Sequence, residues 1–371
     1  MARLPDIDAT LAMVDRIASA PTAPYHEFHA LRAIARELAA IGVAASTDAY
    51  GQMFARVTRG TPRRSLALIA HTDHPAFEVV SASGREGRVR ILGGLYPHFF
   101  DAAVNVLVHD DADGEPFAAT LDDPQSAPDV AHNSTGTCRI RAERPLTLGQ
   151  WAVLDLPAFA AHGDELHLRA ADDLALCAVA LLALAALRDD ERAIDVHAVF
   201  TRGEETGLYG ARLVAEDGLL PRDAIAVSLE ASRALAHAAP ARGVVVRAGD
   251  AYNTFSNDGE RFLRVARERL HASGIPTQRA LLTGGTCESS AFVRLGWTAT
   301  AVAIPNVNYH NQPDEGSRFA PEIVRLSDVR SAVALLVEAA AAAGADEDES
   351  WWPDVRRVPH EIRALLRRTP G

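Results

Sequence analysis

Four short apolar runs in this chain each end in side chains able to hold a metal ion, and that repetition limits the folds open to it. Residues 66–70 lead into His71, Thr72, Asp73 and His74. Residues 196–200 lead through Thr201, Arg202 and Gly203 into Glu204 and Glu205. Residues 224–229 end at Glu230, and residues 298–304 lead to Tyr309 and His310. A further acidic pair, Asp172 and Asp173, opens a long apolar helix. Runs this short and apolar read as buried strands. In open α/β sheets, ligands collect outside the carboxyl ends of the strands. Residues scattered from 71 to 310 can therefore meet at one sheet edge. Successive side chains off an extended backbone point in opposite directions, so one carboxylate of Glu204-Glu205 can ligate while the other faces a reacting water. His, Asp and Glu without Cys suit a divalent ion such as zinc, with cobalt and manganese also compatible.

The rest of the chain supports an α/β frame. Leu31, Ile34, Leu38 and Ile41 recur at helical spacing over 29–41, and Gly42 follows as a stop signal. Residues 43–57 read as strand, turn and strand. From 78 to 168 the texture changes to short alternating stretches, such as Arg88-Val89-Arg90-Ile91-Leu92, punctuated by turn residues. That pattern predicts an inserted β-rich domain, a small barrel. Helices and strands then alternate again: helix 174–188, strand 195–200, helix 208–216, strand 224–229, helices 258–273 and 287–295, strand 298–304 and helix 327–343. We therefore expect a catalytic unit from 1–77 and 169–344, an insertion over 78–168, and a tail over 345–371. The tail carries Trp351 and Trp352 and a short Arg-rich helix candidate.

Composition excludes several classes. None of the 37 basic residues is lysine, which removes Schiff-base, pyridoxal-lysine and Walker P-loop chemistry. A net charge of −12 makes nucleic acid and anionic membranes poor partners. Cys138, Cys177 and Cys287 are too few and too far apart for a disulfide framework. They fit a reducing, cytoplasmic compartment. We expect no signal peptide, and the longest apolar stretch, 174–187, is too short to span a membrane. Single residues carry little: Asp172-Asp173 alone reads as a helix N-cap, and His98, His109, His132, His162 and His167 read as structural. Joint occurrence in order is what points to a metal site.

That ordered set, His71-x-Asp73, Asp172-Asp173, Glu204-Glu205, Glu230 and His310, resembles the co-catalytic dizinc exopeptidases. Within them it is most similar to the TET and glutamyl aminopeptidase family, which carries a β-domain inserted after the His-x-Asp strand. Thr47-Asp48 with Gly51, Gly207-Leu208-x-Gly210-Ala211, Gly284-Gly285-Thr286, and Glu315 after Tyr309-His310 extend the likeness. The resemblance implies a three-layer α/β/α exopeptidase fold with a mixed, mostly parallel sheet and an inserted barrel-like domain for dimerisation or as a lid. It implies two divalent ions per subunit. Asp172 would bridge them, His71 and Glu230 would complete one, and Glu205 and His310 the other. Glu204 would be the general base and Asp73 would orient His71. It further implies a cis Asp172–Asp173 peptide, short peptide substrates with a free N-terminus, and assembly into a homo-oligomer, often a hollow dodecamer.

The chain departs from the family pattern at four places. His74 and Pro75 follow His-x-Asp where the family has Glu, Leu174 stands for an Arg, Cys287-Glu288 for Asp-Ala, and Glu230 for an Asp. The proposed ligands and base all survive, but a glutamyl preference does not carry over. Two rivals remain open. A deacylase or carboxypeptidase of the wider superfamily shares the metals but inserts its extra domain after the fourth ligand. A non-catalytic scaffold would be expected to lose Glu204 or the bridging residue.

Overall fold

In the computed structural model, residues 2–112, 114–129, 132–348 and 358–368 are described. The strands run β1 (Ala45–Thr47), β2 (Met53–Arg59), β3 (Leu66–His71), β4 (Ala76–Ser83), β5 (Glu86–Leu92), β6 (Val104–His109), β7 (Phe117–Asp129), β8 (Ser134–Ala142), β9 (Trp151–Leu154), β10 (Phe159–His162), β11 (Glu165–Leu168), β12 (Ile194–Thr201), β13 (Ile225–Arg233), β14 (Val245–Gly249), β15 (Gln278–Leu281), β16 (Ala299–Asn306) and β17 (Glu322–Arg325). The helices are α1 (Ile7–Ala18), α2 (Phe28–Ala40), α3 (Ala171–Arg188), α4 (Tyr209–Glu216), α5 (Asn257–Ala272), α6 (Glu288–Arg294), α7 (Leu326–Ala345) and α8 (His360–Arg368).

The main sheet has eight strands in the order β1-β2-β12-β3-β13-β16-β14-β15. Its centre, β12-β3-β13-β16, is parallel throughout, and β2 and β14 flank it antiparallel. Strands β3 and β16 are buried along their whole length, which is why they read as largely apolar runs. Alternate residues leave by opposite faces. Leu66, Leu68 and Ala70 join a core with α1, α2, α3, α5 and α7, whereas Ala67 and Ile69 pack with Ala211, Val214, Phe292 and Trp297 of the α4–α6 side. Helices therefore cover both faces, giving three layers, and the mixed α/β architecture expected from the sequence is the one observed. Helix α3 is apolar nearly all round because it lies between the sheet and α1 and α7.

The stretch of alternating residues forms a closed antiparallel barrel, β4-β5-β8-β7-β6-β9. Phe77, Val89, Ile91, Val106, Val108, Leu121 and Ile140 fill its interior, while the residues between them face outward. Strands β10 and β11 lie outside the barrel, in a separate sheet where β10 pairs with β11 and β11 with β17. The sequence signals missed α1, β14, β15 and β17, which are short or lack an unbroken apolar pattern. The Arg-rich tail candidate is α8, with its residues exposed or half-buried; Trp351 and Trp352 lie outside the described residues.

Candidate active site

Parallel pairing brings the predicted residues together. Thr201 at the end of β12 sits opposite His71 at the end of β3, so Glu204 and Glu205 lie just beyond the same edge. Glu230 projects from β13, the other neighbour of β3, and His310 follows β16, the neighbour of β13. Asp172 and Asp173 stand at the start of α3 with non-helical backbone, joined by a cis peptide bond.

Asp172 is the hub. Its Oδ1 lies 3.2 Å from His71 Nε2, and its Oδ2 lies 3.6 Å from His310 Nε2. His310 Nε2 is also 3.1 Å from Glu205 Oε1. On the other side, His71 Nε2 lies 4.0 Å from Glu204 Oε2. His71, Glu204 and Glu230 can each turn a ligand atom into one cluster, and Asp172, Glu205 and His310 into another. His71 and Asp172 also group with Asp173, which sequence reasoning had given no separate role.

These groups are buried yet short of partners. Among the described residues, both oxygens of Asp173, Glu205 Oε1 and His310 Nε2 find no hydrogen-bond partner. Leaving buried charge uncompensated is expensive. Burial drives the Glu204 carboxyl well above its usual range; His71 pulls against this, while Glu230, Glu205 and Asp73 add to it. Burial likewise lifts Glu230 to about 8. Burial opposes charge on His71 and His310, but the carboxylates around them together outweigh it and raise both: Glu204, Asp172 and Asp73 for the first, Glu205 and Asp172 for the second. Asp172 moves the other way: burial would raise it, but the His310 and His71 imidazoles that face its two oxygens hold it below the usual carboxylate range. Buried carboxylates around two imidazoles, with lone pairs unused, fit divalent cations in both donor chemistry and charge.

A ring of buried polar residues holds this arrangement. The turn that carries Glu204 and Glu205 is pinned from two directions. Asp73 accepts the N–H of Glu204 and of Glu205, each at 3.0 Å. Glu27, fully buried, accepts Gly203 N–H at 3.0 Å and Arg202 Nε–H at 2.7 Å. Gly203 has φ +63°, the left-handed geometry this turn requires. Asp73 reaches His71 Nδ1 through its own carbonyl at 3.2 Å, with its carboxylate Oδ1 standing 3.6 Å away. Glu322 accepts Asp172 N–H at 3.0 Å and His310 N–H at 2.8 Å, tying two elements of the site together. His74, in the place of the family's Glu, bridges the Asp172 carbonyl and Asn311 Oδ1. Glu288, at another departure, lies buried against Thr201, and burial lifts it to about 7. Glu315 falls on an exposed loop away from these contacts.

Sequence reasoning passed over Glu27 and Glu322 and gave Asp173 no role of its own. Asp173 had a signal, its place in the Asp-Asp pair; Glu27 and Glu322 are lone glutamates with none. Beside Glu230, a small cleft is lined by Arg233, Arg247, Gly284, Thr286 and Tyr309. Asp250 fixes its loop by accepting Thr286 Oγ1–H at 2.9 Å and Cys287 N–H at 3.2 Å.

Comparison with known proteins bears on the family and the fold. The profile of the M42 glutamyl aminopeptidase family matches residues 139–335. No curated protein matches the sequence. Among solved structures, the chain is similar to the TET1 peptidase of Pyrococcus horikoshii, which can assemble into a tetrahedron or a large octahedral shell. The two are 19% identical, covering 89% of this chain and 99% of that one, with a TM-score of 0.73. An aminopeptidase from Desulfurococcus kamchatkensis is 20% identical over 95% of this chain and 99% of its own, at 0.73. A TET aminopeptidase from a marine-sediment Thaumarchaeota archaeon is 19% identical over 90% and 96%, at 0.74. At such identities the likeness is one of fold. Among the described residues no helix is long and apolar enough to cross a membrane.

Proposed function

This chain belongs to the M42 glutamyl aminopeptidase family, and we propose that it is a dinuclear metallo-aminopeptidase that removes N-terminal residues from short peptides. The observation that carries this reading is the split of Asp172, one oxygen toward His71 and the other toward His310, which also meets Glu205. His71, Asp172 and Glu230 would hold one divalent ion, and Asp172, Glu205 and His310 the second, zinc being the first choice. When bound, the ions supply Lewis acidity for the scissile carbonyl and acidify water near neutral pH.

The chain's own residues do the rest. Glu204 stands at the edge of the cluster with its side chain 10% exposed, where it can take a proton from water. Its raised pKa suits it to hold that proton and pass it to the leaving amine. Asp73 and Glu27 fix the turn, so the base and the ligand Glu205 keep their opposite directions. Residues 1–77 and 169–344 would form the catalytic unit and the insertion the assembly or lid domain. Assembly into a homo-oligomer, as for the TET1 peptidase, belongs to the same reading, as does a cytoplasmic site of action.

The test is hydrolysis of free and N-acetylated dipeptides with Zn²⁺, Co²⁺ or Mn²⁺, for the wild type and Glu204→Gln. Metal-dependent cleavage of free-amine peptides alone, lost in the variant, is the expected result. Cleavage confined to acetylated substrates would move the assignment to a deacylase or carboxypeptidase. Two bound ions without turnover would leave a scaffold.

A further inference from the structure

The two halves of the site are supported by different parts of the molecule. His71 and Glu230 are held from within the α/β body. Among the described residues, the hydrogen bonds involving a side chain that reach them come from Asp73, Asp172, Cys177 and Ser228, and their backbones pair only with strands of the main sheet. His310 and Glu205 are also touched by the barrel. The Gly94 carbonyl, in the loop after β5, lies 3.1 Å from His310 Nδ1. The Asn133 carboxamide, in the turn before β8, donates to the Glu205 carbonyl at 3.1 Å.

The first of these contacts decides the chemistry of the ring. A carbonyl oxygen only accepts, so Nδ1 of His310 must carry the proton. In the neutral ring that leaves Nε2 as the lone pair, and Nε2 is the atom that faces Glu205 and Asp172 without a hydrogen bond. The approach is close: a Cβ added at Gly94 would stand 3.4 Å from His310 Nδ1.

Gln312 locks this contact from the other side. Its Oε1 accepts Tyr96 N–H at 2.6 Å, and its Nε2 donates to the Gly94 carbonyl at 3.0 Å. Tyr96 N can only donate and Gly94 O can only accept, so the orientation of the carboxamide is determined. Gln312 is 3% exposed, two residues beyond His310, and grips the barrel loop at two points.

We propose that the inserted barrel completes the Glu205–His310 half of the site, and that Gln312 and Asn133 are the positioning residues that couple barrel to ligands. This rests on the dinuclear reading above. It makes the insertion part of the metal centre and not only a surface for assembly or cover. It also makes the two ions unequal: one depends on the docking of the barrel and the other does not.

The experiment is a Co²⁺ titration of the metal-free full chain, followed by visible absorption and calorimetry, for wild type, Gln312→Met and Asn133→Gly. Glycine at 133 suits the left-handed φ of +46° there. The wild type is expected to take two ions. Each variant should lose about 10-fold or more in the affinity of one ion, with the other unchanged. In a His310→Ala background, Gln312→Met should cost nothing further. The metal-free melting curves show that the variants are folded. Two ions whose affinities fall together, or do not change in the folded variants, overturn the inference and leave the dinuclear reading standing. A wild type that takes up fewer than two ions overturns both.

Discussion

On the outside of the barrel, Arg139 and Arg141 share Asp122, and Arg88 meets Asp123, all within reach of water. At the carboxyl edge of the main sheet, Asp173 is buried with neither oxygen hydrogen-bonded among the described residues, beside buried carboxylates that repel it. The barrel keeps its charges where they cost little and contribute little, and fills its interior with apolar side chains. The sheet edge collects like charges out of water, an arrangement that disfavours the bare protein. Such conflict is expected where a fold has been bent to a function. The difference teaches where to look: the region whose polar groups lack partners is the one awaiting something else.

The largest expected effect separates chemistry from stability. Glu204→Gln should lower kcat by about 10²–10⁴-fold. Its melting temperature should equal or exceed that of the wild type, because one buried charge is removed from a repelling cluster. Turnover within tenfold of wild type would remove Glu204 from the role of base. Next comes Glu27→Ala, which strips the acceptor from Arg202, Gly203 and Tyr25. A loss of about 3 kcal/mol in urea unfolding is expected, from breaking a largely buried pair. A loss below about 1 kcal/mol would mean that Glu27 does not hold the turn.

Metal addition tests the comparison directly. A divalent ion at about 100 times its Kd should stabilise the native chain by about 2.7 kcal/mol, and a chelator should reverse this. If melting temperature ignores the ions, the sheet edge is not waiting for them. At neutral pH the smallest effect belongs to the barrel, and it grows only as pH falls. Burial, then Arg169 and His29, push His109 down to about 4, so the native state keeps it neutral while the unfolded chain protonates near 6.5. Stability from this site is complete above pH 6.5 and is lost as pH falls from there toward 4. His109→Phe keeps the ring that stacks on Trp151 at 5.0 Å and should flatten that part of the pH profile in urea melts. An unchanged slope would relieve His109 of the role.

Much of this was legible in the chain before folding. The period of Leu31, Ile34 and Leu38 marks a helix, realised as α2, because that spacing is a property of the helix itself. The alternating stretch became a barrel and the apolar runs became the central strands for the same local reason. Glu204-Glu205 and Asp172-Asp173 could be singled out because they sit at strand or helix ends. Glu27 and Glu322 could not: each is a single glutamate whose role depends on N–H groups far away in the sequence, Gly203 for the one and Asp172 and His310 for the other.

What the amino-acid order determined by itself was therefore the kinds of elements, their succession, and which carry side chains fit for a metal. Periodicity and residue chemistry are local and travel with the sequence. Tertiary structure alone decided that β3 lies between β12 and β13, that Asp172 turns one oxygen to each histidine, and that the Gly94 carbonyl meets His310. Every residue carries a carbonyl, so no sequence signal can say which one will orient a ligand. Only the docking of the barrel against the sheet edge selects it.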